Sequence, residues 1–267
     1  MSAAPRFEAL LYDVEDGVAT ITLNRPEAAN ALSPTMAREL MEVAIEIDHD
    51  PEVRAVIWRA AGDRFFCAGG DLKAFASAGD RSPHLVKTMT TQLHAAISRL
   101  ARGAAPVIGE VQGTAAGGGF SMVLGCDLVV ASEKAKFTLA YTKASLSPDG
   151  SSTFFLTRAV GLRRAMDLAL TNRVLGAAEA EGWGIVNRVV PAEELTSTVR
   201  RMAEGFARGP TDAYGRTKRL LLESTYTSFE TQMELESRGI AESLGSRNGR
   251  EGLAAFLEKR EPEFEAF

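Results

Sequence analysis

With 267 residues and 45% hydrophobic content, the chain is long enough to bury a core as one large domain, or as a domain with a helical appendage. A formal net charge of −5, with basic residues scattered apart from short pairs such as Arg163-Arg164 and Arg200-Arg201, leaves no basic stripe for nucleic acid. Cys67 and Cys126 are too few for a disulfide framework and are not spaced as a metal cluster, and no leader pattern or run of about 18 apolar residues appears. The expectation is therefore a cytoplasmic protein that binds neither nucleic acid nor membrane.

Taken in order, Phe7 to Tyr12 and Val18 to Leu23 are apolar, β-prone segments joined through Glu15-Asp16-Gly17, a turn signal that predicts a hairpin. Ser33-Pro34 offers an N-cap followed by proline in a first turn. Met36, Leu40, Val43, Ala44 and Ile47 then recur at helical spacing, predicting a helix over 34–48. Val53 to Trp58 reads as a buried strand, Leu85 to Leu100 as a helix, Pro106 to Val111 as a strand, and a short helix after Gly118 precedes the strand Leu128 to Ala131. This alternation predicts an α/β fold with a parallel sheet flanked by helices. After residue 150 the chain reads as mostly helical, with helices near 161–170, 192–207, 211–224, 229–243 and 248–259. A change in composition places a boundary near residue 200, dividing a core (1–200) from a helical C-terminal region (201–267).

Two glycine clusters carry the chemical signal: Cys67-Ala68-Gly69-Gly70-Asp71 and, about 48 residues later, Gly113-Thr114-Ala115-Ala116-Gly117-Gly118-Gly119-Phe120-Ser121. Glycine lets the backbone approach a ligand, and a helix opening on glycines adds unsatisfied N–H donors at the positive end of its dipole. Two such donors converging on one carbonyl oxygen would stabilise an oxyanion. Either cluster taken alone reads equally as a loop or a close backbone contact.

The order and spacing of several motifs resemble the crotonase, or enoyl-CoA hydratase/isomerase, family. These are Asn24-Arg25-Pro26 followed by Asn30-Ala31-Leu32, Phe66-Cys67-Ala68-Gly69-Gly70-Asp71-Leu72-Lys73, and the Gly113 to Gly119 segment. Thr157-Arg158-Ala159-Val160-Gly161, Ala178 to Asn187, and Ala255-Phe256-Leu257-Glu258-Lys259-Arg260 extend the resemblance over nearly the whole chain. It implies a core of repeated ββα units with a C-terminal helical trimerisation region, assembled as a homotrimer or a dimer of trimers. It also implies an acyl-CoA substrate whose thioester oxygen is held by the N–H groups of Gly70 and Gly118. Coenzyme A is then part of the substrate, no separate cofactor is expected, and enolate stabilisation by two donors requires no metal.

The two catalytic glutamates of the family's hydratases map onto Ser121 and Tyr141, and neither hydroxyl readily substitutes for a base at neutral pH. Ser147-Pro148-Asp149-Gly150-Ser151-Ser152 instead resembles the acidic segment of family isomerases, making Asp149 the candidate acid/base. Locally, Pro-Asp-Gly is also a common turn, and an aspartate ahead of a helix can be an N-cap. Tyr141 reads as filling acyl-pocket space and Ser121 as satisfying a helix end. The aspartate position further resembles the nucleophile of the family's 4-chlorobenzoyl-CoA dehalogenases. Their histidine base maps onto Ser98, so His94, one helical turn away, reads as a surface or packing residue.

For coenzyme A, the resemblance assigns the nucleotide end to Arg25 through Ala31, with Arg25, Ala28 and Ala31 as contacts. The thioester end goes to Ala68, Gly70, Asp71 and Leu72. Phe256 and Lys259 match positions that approach the nucleotide from a neighbouring subunit. Residues 74 to 90, rich in small side chains such as Ala76-Ser77-Ala78-Gly79, are expected to border the acyl pocket as a mobile rim.

Overall fold

The computed structural model describes residues 6–265. Strand β1 (Leu10–Glu15) pairs antiparallel with β2 (Val18–Leu23) through Asp16-Gly17, both at positive φ of 50° and 76°. Two left-handed residues make the tight hairpin turn whose twist matches that of its strands. This turn sets the register and moves β1 three residues later than the apolar run suggested. Phe7 nevertheless stays in the core, its ring edge-on to Tyr12. Helix α1 (Pro34–His49) follows, with Ser33 Oγ accepting from Met36 N–H as the N-cap.

The chain then repeats a strand, strand, helix unit. Strands β3 (Ala55–Ala60) and β4 (Phe65–Cys67) lead into α2 (Leu72–Ser77) and α3 (Ser82–Arg102), and β5 (Val107–Val111) and β6 (Thr114–Ala116) into α4 (Gly118–Leu124). A third unit comprises β7 (Leu128–Ser132), β8 (Lys136–Thr138) and α5 (Ser152–Thr171). Then come β9 (Leu175–Gly176), α6 (Ala177–Gly182), β10 (Arg188–Val190), α7 (Leu195–Ala207), α8 (Thr211–Glu223), α9 (Phe229–Gly245) and α10 (Arg247–Glu258). Each repeat gives one strand to each of two sheets, ordered β1-β2-β3-β5-β7-β10 and β4-β6-β8-β9. Every pairing is parallel except the two outer ones, β1 with β2 and β8 with β9.

The large sheet is buried on both faces, and its side chains alternate with period two. Val56, Trp58, Val107 and Val129 enter the main core with Leu40 and Val43 of α1 and Leu93 and Ile97 of α3. Ala55, Ile57, Ile108 and Val130 face the other way, against Leu195, Val199 and Ala203 of α7. Residue 200 therefore falls inside a helix that packs on the sheet, and the protruding helical region begins at α8. Lys218 of α8 ties that region to the core, its Nζ 2.6 Å from an Asp127 carboxylate oxygen and donating to the carbonyls of Leu100 and Ala105. Among α9 and α10, large apolar side chains including Phe229, Ile240, Phe256 and Leu257 remain exposed on the single chain.

The segment 74–90 is mostly helical. It completes α2, passes through a 3-10 turn at Gly79–Arg81 and enters α3, and Asp71 caps α2 by accepting from the N–H groups of Lys73 and Ala74.

Candidate active site

The two glycine clusters meet. Gly69 and Gly117 are left-handed, at φ of 95° and 52°. A methyl group on Gly69 would stand 3.0 Å from Ala116 O and 3.5 Å from Gly118 N, so only hydrogen fits between these backbones. Gly119 is tighter still, since a Cβ there would lie 2.3 Å from Cys67 O and 2.6 Å from Cys67 Cβ. The chain on each side is pinned: Leu32 N–H donates to Gly69 O at 2.8 Å, Asp71 N–H to Leu32 O at 3.0 Å and Gly117 N–H to Thr138 O at 3.1 Å. What remains are the N–H groups of Gly70 and of Gly118, the first residue of α4. Neither has a backbone or side-chain acceptor among the described residues. Both residues line one cavity of about 400 Å³.

Asp149 lines the same cavity, and three side chains gather around it. Tyr141 donates its hydroxyl to Asp149 Oδ1 at 2.6 Å, and Ser121 Oγ lies 3.0 Å from Tyr141 Oη and donates toward the Asp149 carbonyl at 2.9 Å. Burial first, and then the Asp149 charge, push the Tyr141 phenol well above its ordinary value, so it is a donor at any physiological pH. The hydroxyls read from sequence as pocket filling and a helix-end bond thus both hold Asp149, the phenol through its carboxylate and Ser121 through its carbonyl. The loop is held by two left-handed residues, Gly150 at φ 61° and Ser151 at φ 67°, and by the N–H of Ser152 donating to Asp149 O at 3.2 Å.

The remaining neighbour is His94, which corrects its reading as a surface or packing residue. Its ring is half exposed, yet Nε2 lies 3.2 Å from Asp149 Oδ2 and 3.0 Å from the Gly150 backbone N. One nitrogen cannot serve both at once: bare, it accepts from Gly150, and protonated, it donates to Asp149. Ser98, one turn further along α3, makes no hydrogen bond to Asp149 and lies outside this cavity. The available signal was a titratable residue flanking the apolar stripe Met89, Leu93, Ile97. Its use became visible only once α3 was laid against the Asp149 loop.

Among the residues assigned to coenzyme A, Ala68, Gly70 and Leu72 line the cavity together with Gly118. Arg25 donates to Ala31 O at 2.7 Å and pairs with Asp71 at 3.3 Å, bracing the 25–31 turn against the start of α2. That turn is a 3-10 segment, Pro26–Ala28, followed by left-handed Ala29 and Asn30. The buried Asn30 side chain holds it by accepting from Arg25 N–H and donating to Ala61 O and Phe65 O. Ala28 and Ala31 sit in this turn, outside the cavity. Phe256 and Lys259 lie at the end of α10, also away from the cavity of their own chain.

The parallel strands β4, β6 and β8 lie side by side, and residues just beyond their ends line the cavity: Gly70, Gly118 and Tyr141. Comparison with known proteins gives this arrangement its family. A family model described as enoyl-CoA hydratase/isomerase matches residues 13–266. The chain belongs to the enoyl-CoA hydratase/isomerase, or crotonase, family. It is 37% identical over 258 residues to the 1,2-epoxyphenylacetyl-CoA isomerase of Escherichia coli (strain K12), covering 96% of this chain and 98% of that one. It is also 37% identical over 246 residues to 4-chlorobenzoyl coenzyme A dehalogenase-2 of Arthrobacter sp, covering 91% and 88%. A crystal structure of an enoyl-CoA hydratase from Polaromonas sp. JS666 superposes with a TM-score of 0.91 at 32% identity, covering 97% of this chain and all of that one. The crotonase fold and its C-terminal helical region are thus present, and the protein is an acyl-CoA enzyme. No helix among the described residues is long and apolar enough to cross a membrane.

Proposed function

We propose that this crotonase is an enoyl-CoA isomerase that moves a double bond by a 1,3-proton shift, with Asp149 carrying the proton. The observation behind this reading is a carboxylate lining the same cavity as the free N–H groups of Gly70 and Gly118, while Ser121 and Tyr141 occupy the hydratase glutamate positions. Polarising the thioester carbonyl acidifies the neighbouring C–H, and the two donors meet the charge that develops on oxygen as the enolate forms. One carboxylate can take the proton from one carbon and return it at the other. Coenzyme A enters as part of the substrate. Phe256 and Lys259 reach the nucleotide from a neighbouring copy in a trimer, an assembly that would also cover the exposed apolar side chains of α9 and α10.

The test is proton exchange and product analysis with 3-enoyl, 2-enoyl, ring-epoxide and haloaryl CoA thioesters. Asp149→Asn is expected to abolish the 3-enoyl to 2-enoyl shift while ligand binding stays nearly intact. Retained turnover in that variant would refute the assignment.

The contact between His94 and Asp149 favours one second reading, nucleophilic displacement on an aryl-CoA. There Asp149 attacks the ring carbon and expels halide, and His94 deprotonates the water that cleaves the resulting aryl ester at its carbonyl. A single turnover of the haloaryl thioester in ¹⁸O-water would then leave label in Asp149, whereas an isomerase leaves none.

A further inference from the structure

Beyond Asp149 lies a second cavity of about 330 Å³, lined by Ile97 and Ser98 of α3, Phe154 and Phe155 of α5, and Leu222 and Tyr226 of the C-terminal region. It is not separate from the active site. His94 lines both cavities, and Gly150, the residue after Asp149, lines the rear one. The left-handed pair Gly150 and Ser151 turns the chain between them, leaving Asp149 on the front wall and Gly150 and Ser151 on the rear wall. The partition is therefore one loop and one imidazole, and that imidazole is half exposed and hydrogen-bonded only to Asp149 and Gly150 among the described residues.

The rear lining is chiefly aliphatic and aromatic, which suits hydrocarbon. Arg102 also lines this cavity, its guanidinium donating to Tyr226 Oη at 3.5 Å and to Glu223 at 3.4 Å. We infer that the rear chamber receives the far end of the acyl group, so that the enzyme selects thioesters whose hydrocarbon chain is long enough to pass Asp149 when the His94 ring turns aside. This inference rests on the acyl-CoA reading of the front cavity. It also gives the C-terminal region a share in specificity through Leu222 and Tyr226.

Calorimetric titration of the full-length protein with saturated butanoyl-, octanoyl- and dodecanoyl-CoA tests it, because binding is read without turnover. Affinity is expected to rise with chain length, by up to about fourfold per methylene while the chamber fills. Ser98→Phe, which places a ring in the chamber, is expected to remove most of the dodecanoyl-over-butanoyl preference. Should Ser98→Phe fail to fold, Leu222→Ala decides, since widening the chamber is expected to shift the preference toward the longest chain. Affinity independent of chain length, or a preference unmoved in the deciding variant, overturns the rear chamber but leaves the acyl-CoA site standing. No binding of any thioester, butanoyl-CoA included, overturns both.

Discussion

Gly119→Ala tests the proposed oxyanion hole at a residue that is not one of its two proposed donors. Its Cβ would stand 2.3 Å from Cys67 O and 2.6 Å from Cys67 Cβ, against an ordinary contact near 3.4 Å. The start of α4 or the end of β4 must therefore move by about 1 Å, and those two segments lead directly to the donors at Gly118 and Gly70. Misplacement of a catalytic group by that much costs about a hundredfold in rate, the lower end of the 10²–10³ that follows complete loss of an oxyanion donor. Overpacking adds about 1–3 kcal/mol of destabilisation, offset by up to about 1 kcal/mol of helix propensity gained on replacing glycine. Gly118→Ala is the control, because its Cβ meets only Tyr141 Oη, 4.0 Å away in the cavity. The expected pattern in thermal unfolding and steady-state kinetics is a lower Tm and kcat/KM for Gly119→Ala, and an unchanged Tm with lower activity for Gly118→Ala. Wild-type kcat/KM in Gly119→Ala would refute the idea that this close approach sets the hole.

Three further perturbations follow from named contacts. Tyr141→Phe removes a charge-assisted bond of about 1.5–3 kcal/mol to Asp149, so kcat is expected to fall about ten- to a hundredfold. The same variant has a pH signature. The folded state holds the Tyr141 proton above the ordinary phenol value of 10.0, so this group's stabilising contribution is present below that pH and is lost above it; wild-type Tm is expected to fall more steeply than that of Tyr141→Phe beyond pH 10. Lys218→Met leaves the partly exposed Asp127 carboxylate without its partner and is expected to cost about 1–3 kcal/mol; adding Asp127→Asn should recover part of that, and chemical denaturation measures both. Burial pushes the Cys67 thiol up to about 12 and the Cys126 thiol higher still, so neither is expected to react with a disulfide reagent at pH 8 until the protein is unfolded.

The long elements were legible because their periodicity is sustained: α1, α3 and strands β1, β2, β3, β5 and β7 were placed within a few residues, whereas the three-residue β10 was not read. The small sheet was not read as such from local pattern, since β4, β6 and β8 span three residues each and show no alternation. Only the family resemblance implied the repeated units that contain them. The family resemblance, and not local spacing, named Gly70, Gly118 and Asp149, and the structure gathers them around one cavity. His94 was not legible, because its contact with Asp149 joins residues 55 apart in sequence and depends on how one helix lies over one loop. The offset between Phe7 to Tyr12 and the observed β1 has a local cause, since the Asp16-Gly17 turn fixes the strand pairing and hydrophobicity does not.

The side-by-side strands β4, β6 and β8 make the active site modular. Each successive repeat delivers one chemical letter at its strand end: a bare amide at Gly70, another at Gly118, a phenol at Tyr141. On the function proposed above, replacing the third letter, or the loop that follows it, would change what is done with the enolate and leave the two amides that hold it undisturbed. Relatives that share the scaffold and carry the names isomerase, hydratase and dehalogenase are the diversity such a division of labour permits: one unit of the fold can be rewritten while its neighbours keep their text.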